Sequence, residues 1–144
     1  MRRIFTKVWN GFVAVQTTDE LTENGYRSWL AQEPIEIIGA SMSIVNKIPS
    51  ENDGFAFLGL ELSQVGLIGQ DGAILKCAAE EGWNTTPAGV DKVGGHIAVT
   101  FPAGYTVPVK EEGYLYLNLE MIGKSAGASV FEFEVIIYYT KKGH

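Results

Sequence analysis

Between Tyr114 and Met121 two kinds of side chain alternate without a break: Leu115, Leu117, Leu119 and Met121 fall on one side, and Tyr114, Tyr116, Asn118 and Glu120 on the other. Residues 130 to 140 repeat the pattern. Phe131, Phe133, Val135, Ile137 and Tyr139 share one face, leaving Val130, Glu132, Glu134, Ile136, Tyr138 and Thr140 opposite. A period of two belongs to an extended strand, whose successive side chains point to opposite faces, and not to a helix with its period of 3.6. A slip of one residue would carry Glu132 and Glu134 into the core, so the face that each residue takes is fixed.

The small-residue stretch IGKSAGAS separates the two segments and suits a chain reversal. The expectation is an antiparallel hairpin with Glu120 opposite Glu132, which sets Leu119 against Phe133, Leu117 against Val135 and Leu115 against Ile137. On the reverse face the same register sets Asn118 against Glu134, Tyr116 against Ile136 and Tyr114 against Tyr138. That face is polar at one end and aromatic at the other. Tyr114, Tyr116, Ile136 and Tyr138 are therefore the candidate interface, because a broad apolar patch on the outside of a sheet favours association unless something covers it.

The rest of the chain reads as further short strands punctuated by turns. RIFTKVW and GFVAVQT flank Asn10-Gly11, which suits either a hairpin turn or a bulge within one strand. Residues 17–34 read as a long loop or short helix: Thr17 and Glu20 have capping-box spacing, and Leu21, Tyr26, Trp29 and Leu30 make a broken helical face interrupted by Asn24-Gly25. The same segment is an alternative cover for the tyrosine face within one chain.

Strands are expected in IEIIGASMSIVNKI, with Gly39 marking a bulge, then in FAFLGLELSQVGLIG, AILKCAA, HIAVTF and YTVPV, where Pro108 points to a sheet edge. Residues 80–95 are expected to form a long loop around Trp83, and residues 141–144 a flexible tail. Eight or nine strands in 144 residues fit a single domain, 1–144. The expected fold is an all-β antiparallel sandwich with jelly-roll or related Greek-key topology.

Composition narrows the function classes. Only 19% of residues are charged, below the roughly 25% of an average soluble domain, which leaves surface for subunit contacts. The net charge is −6 and the eleven Lys and Arg residues form no stripe, so nucleic acid is not an expected partner. No apolar run reaches transmembrane length, so membrane insertion is not expected. The basic opening MRRIFTKVWNG lacks the apolar core and cleavage site of a signal peptide. Cys77, the one cysteine, is in phase with Ala73, Leu75 and Ala79 and reads as a buried thiol.

Catalytic and cofactor signatures are missing from the sequence. His96 and His144 have no ligand partners at metal-binding spacing, and ENDG at 51–54 is a turn too short for an EF-hand. Phosphate-loop and nucleophile-elbow motifs do not occur. Glu120, Glu132 and Glu134, brought together by the expected hairpin, superficially suit the paired carboxylates of a glycosidase but read better as a solvated or interfacial face. The reading is of a non-enzyme with no cofactor and no catalytic residues.

Aromatic residues hold the remaining signal. Trp29, Trp83, Tyr105, Tyr114, Tyr116 and Tyr138 have the flat rings that stack on sugars, and the same rings anchor subunit contacts. Trp83 is the candidate loop contact. The stretches AVTFPAGYTVPVKEEGYLYLNLEM and SVFEFEVIIYYTKK resemble those of small jelly-roll structural proteins of viruses, such as capsid decoration and tail-associated modules. That resemblance implies a noncatalytic structural or assembly subunit, a homo-oligomer with a trimer among its closed forms, attached to a larger viral or surface protein particle. A virion or an extracellular assembly is the setting it implies. The alternative is a carbohydrate-binding β-sandwich module with a glycan as ligand.

Overall fold

The computed structural model describes residues 3–15, 20–48, 57–80, 96–100, 106–122 and 129–141. Nine strands run through them: β1 (Phe5–Val15), β2 (Glu20–Leu30), β3 (Ile35–Ile48), β4 (Phe57–Ser63), β5 (Ala73–Glu80), β6 (His96–Thr100), β7 (Val107–Val109), β8 (Tyr114–Ile122) and β9 (Ser129–Lys141). One sheet has the order β1-β9-β3-β6, with β7 also paired to β3; the other has the order β2-β8-β4-β5. All pairings are antiparallel.

The in-sheet pairs β1–β9, β2–β8, β3–β6/β7 and β4–β5 are nested like the arms of one long hairpin folded over on itself. This is the order of jelly-roll and related Greek-key sandwiches. The two inner faces meet in one apolar cluster. β3 contributes Ile35, Ile37, Ala40, Met42 and Ile44, β9 contributes Phe131, Phe133, Val135 and Ile137, and β8 contributes Leu115, Leu117, Leu119 and Met121. Cross-layer contacts tie the sheets together: Tyr26 meets Phe133 edge-on at 6.0 Å, and Trp29 lies 4.9 Å from Tyr139.

The faces expected of 114–121 and 130–140 are those observed, because parity depends only on the strand's own period. Their pairing differs from expectation. β8 and β9 lie in opposite sheets, β8 between β2 and β4 and β9 between β1 and β3. Leu117 and Val135 therefore face each other's layer across the core instead of sitting side by side on one sheet.

Two other local readings are corrected. Asn10-Gly11 makes neither a turn nor a bulge: β1 is one strand that keeps a single register with β9 from Phe5↔Tyr139 to Val15↔Ser129. Gly11 faces inward there, and an added Cβ would lie 3.4 Å from both the Arg27 guanidinium and the Phe133 ring. Its small size makes room for those groups. The 17–34 segment, read as loop or helix, contains β2; Asn24-Gly25 falls within the strand's register shift between Glu23 and Arg27, with Gly25 at φ 64°.

The expected bulge at Gly39 is present as the register shift between Ile37 and Gly39. Pro108 lies in β7, which among the described residues pairs with β3 alone. Lys141 closes β9, while the rest of the expected tail, 142–144, and most of the expected 80–95 loop lie outside the described residues.

Candidate functional site

The four residues of the candidate interface separate into two pairs on opposite outer faces of the sandwich. Tyr114 and Tyr116 belong to β8 and the four-stranded sheet, Ile136 and Tyr138 to β9 and the five-stranded sheet. The separation follows from the layer crossing between β8 and β9.

On the β8 face the two tyrosine rings stack, with centroids 5.5 Å apart. Tyr116 is half-buried, because residues 64–72 fold back over this face and Gly66 lies on its ring. A Cβ at Gly66 would come within 3.3 Å of that ring. The segment is fastened by polar groups on the outward side of the sheet. The Gly69 amide donates to Glu61 Oε2 at 2.9 Å, and the Ile68 amide to Asn24 Oδ1 at 2.9 Å. Asn118 Nδ2 donates to Glu61 Oε1 at 3.1 Å and to the Val65 carbonyl at 3.0 Å, while its Oδ1 accepts from the Gly25 amide at 2.8 Å.

Glu61 and Asn118 are 1% and 0% exposed, although both point away from the core. Lys76 Nζ reaches to 3.7 Å from Glu61 Oε2 and offsets its charge. Tyr114 remains 43% exposed and borders a cleft of about 660 Å³ whose lining includes Val65, Pro108, Val109, Gln64 and Lys110. Gln64 Nε2 donates to the Pro108 carbonyl at 2.8 Å and fixes one wall of it.

The other outer face also carries exposed apolar side chains. The even-numbered positions of β1 turn outward, and Val8 and Phe12 are 45% and 61% exposed, with Ile4, just ahead of the strand, 59% exposed. Val8 pairs with Ile136 and Thr6 with Tyr138, so the half-buried Ile136 and Tyr138 continue this surface inward onto β9. Ile4, Val8 and Phe12 went unrecognised in the sequence because RIFTKVWNGFVAV is apolar on both faces. Splitting it at Asn10-Gly11 hid the four-residue spacing of the outward set.

Inward from β1 and β2, cations lie on aromatic rings along the side of the sandwich. Arg27 stands 4.3 Å from the Tyr26 centroid and Lys7 5.8 Å from that of Trp29, while Arg3 and Lys141 approach Phe5 at 5.0 and 4.5 Å. The three glutamates grouped by the expected hairpin are divided, Glu120 on one outer face and Glu132 and Glu134 on the other. Among the described residues no three His, Cys, Asp or Glu side chains are placed to hold a metal ion. No helix there is long and apolar enough to cross a membrane. Trp83 lies outside the described residues. Cys77 is buried with its Sγ 3.7 Å from the Met42 carbonyl, and burial pushes its thiol pKa up to about 11.

No family model and no curated protein matches the chain. Solved structures do. A chain of the infectious bursal disease virus Gx strain structure shares 14% identity at a TM-score of 0.43, covering 100% of this chain and 33% of that one. A chain from the disulfide-linked pili of Bacillus endospore appendages shares 13% at 0.39, covering 99% and 92%. A chain of the cyanophage Pam1 capsid asymmetric unit shares 11% at 0.34, covering 94% and 84%. This chain thus spans about a third of the bursal disease virus chain. The resemblance to viral structural proteins is present and weak, and at these scores it carries no argument about function.

Proposed function

We propose that this chain is a noncatalytic structural or assembly subunit that presents the outer face of its five-stranded sheet to identical subunits or to a larger protein particle. The observation that carries the reading is the row of Ile4, Val8 and Phe12, exposed on a face that the domain's own core does not use. Water contact with such a row is unfavourable, and burial against another protein removes it at roughly 25 cal/mol per Å². Ile136 and Tyr138 extend the same surface and keep their place in the proposed contact. Tyr116 loses its place, since residues 64–72 already cover it. A virus particle, with this chain as a capsid decoration or tail module, is the setting that the sequence resemblance favours.

Light scattering on the native protein over a wide concentration range tests the proposal. A mass above that of the monomer, reduced in Phe12→Ser, is the expected result; a monomer throughout, with no binding to a particle, would falsify it.

One observation favours a carbohydrate-binding reading as the second choice: the exposed Tyr114 ring stands beside the apolar cleft with Gln64 and Lys110 on its rim. Ring-faced clefts with a few polar groups suit sugars. Loss of glycan-array binding in Tyr114→Ala, with the oligomer intact, would put this reading first.

A further inference from the structure

Most of the strands that end the two sheets carry features that discourage pairing with another chain. β2 is interrupted by its register shift, β5 has Lys76 exposed near its middle, β6 is five residues long, and β7 is three residues long with Pro108 at its centre. β1 has no bulge and no proline, runs eleven residues in one register, and has no strand on its second edge among the described residues. Lys7, its one charge, faces inward toward Trp29.

From Ile4, just ahead of the strand, to Phe12 the outward side chains are Ile4, Thr6, Val8, Asn10 and Phe12, with Ala14 beyond them. About Val8 they read apolar, polar, apolar, polar, apolar in either direction. A contact between two identical subunits across a twofold axis needs this property, since residue i must meet j while j meets i; a different partner does not need it. We infer that β1 pairs antiparallel with β1 of a second copy about Val8, joining two five-stranded sheets into one. The inference rests on the assembly reading above and specifies its contact.

In this register Val8 faces the partner's Val8, Ile4 faces the partner's Phe12, and Thr6 faces the partner's Asn10. On the inward side Phe5 is set opposite Gly11 and Lys7 opposite Trp9, and these side chains keep the packing they have within their own subunit. Because Val8 already pairs with Ile136, the apolar row Ile136–Val8–Val8–Ile136 crosses the axis unbroken. The contact builds dimers, so a trimer would use another surface.

Val8→Lys and Val8→Glu test the pairing in the full chain, with circular dichroism to confirm that each variant folds; the position is outward and half exposed. Light scattering is expected to give twice the monomer mass for the wild type. Each variant alone should dissociate at least about tenfold more readily, since like charges then face each other directly. Mixing the two should restore dimers, because lysine now faces glutamate. Variants that keep the wild-type mass, or a mixture that stays monomeric, would overturn the edge pairing and leave the assembly reading standing. A wild type that is monomeric and binds no particle would overturn both.

Discussion

Asn118 sits at a position where a strand usually shows a polar side chain to water, yet it is fully buried and bonds two backbone groups, the Gly25 amide and the Val65 carbonyl, and the Glu61 carboxylate. Its amide is matched donor for acceptor to Gly25, Glu61 and Val65, a task that an apolar side chain of the same volume cannot perform. Asn118→Ala would strip one partner from Glu61, which is itself 1% exposed, and orphan the Gly25 amide. A loss of about 1–3 kcal/mol is expected in urea unfolding, with the denaturant slope unchanged. Cys77 gives a second prediction at this scale. Burial raises its thiol from 9.0 to about 11, so the folded chain holds a proton that the unfolded chain releases first. Its contribution to stability is complete below about pH 9 and is lost as pH rises toward 11, because the unfolded state then binds fewer protons. A thiol-specific reagent at pH 8 should react with the native protein far more slowly than with the unfolded one, and Cys77→Ala should flatten stability between pH 9 and 11.

Among the elements, the 64–72 segment decides what the β8 face does. It lies on Tyr116 because Gly66 has no side chain to hold it away, and its amides end on Glu61 and Asn24. Gly66→Ala would press a methyl group to 3.3 Å from the ring. Destabilisation of about 1 kcal/mol is expected, read as faster amide exchange at Ile68 and Gly69 with the β8 core amides unchanged. β2 shows why the same stretch of sequence misleads. Asn24-Gly25 signals a break, and Gly25 does take φ 64°, but the irregularity is absorbed as a bulge because β8 supplies partners on both sides of it. Gly25→Ala should cost about 1–2 kcal/mol for the left-handed backbone, measurable by thermal unfolding.

For the whole molecule, the proposed contact turns on which outer face remains free. The β8 face is partly covered by the chain's own residues 64–72, and the β1–β9 face leaves Ile4, Val8 and Phe12 open to water or to a partner. If the latter face is the contact, association driven by apolar burial should survive a rise in salt that would weaken a contact made of exposed charges. Light scattering at low and high ionic strength checks this. The alternating residues of 114–121 and 130–140 dictated by themselves that these are strands and which side of each enters the core, and the run of short strands and turns along the rest of the chain pointed to a sandwich. Local periodicity carries that information because each side chain's direction depends only on its neighbours along the strand. Which strands lie side by side depended on the closed tertiary structure. The short chain from Ile122 to Ser129 permits either a hairpin within one sheet or a crossing between two, and only the competition of β1, β2, β3 and β4 for the edges of β8 and β9 selects the crossing. That choice divided the tyrosines from Ile136, buried Asn118 and Glu61 beneath residues 64–72, and left Val8 at an open edge.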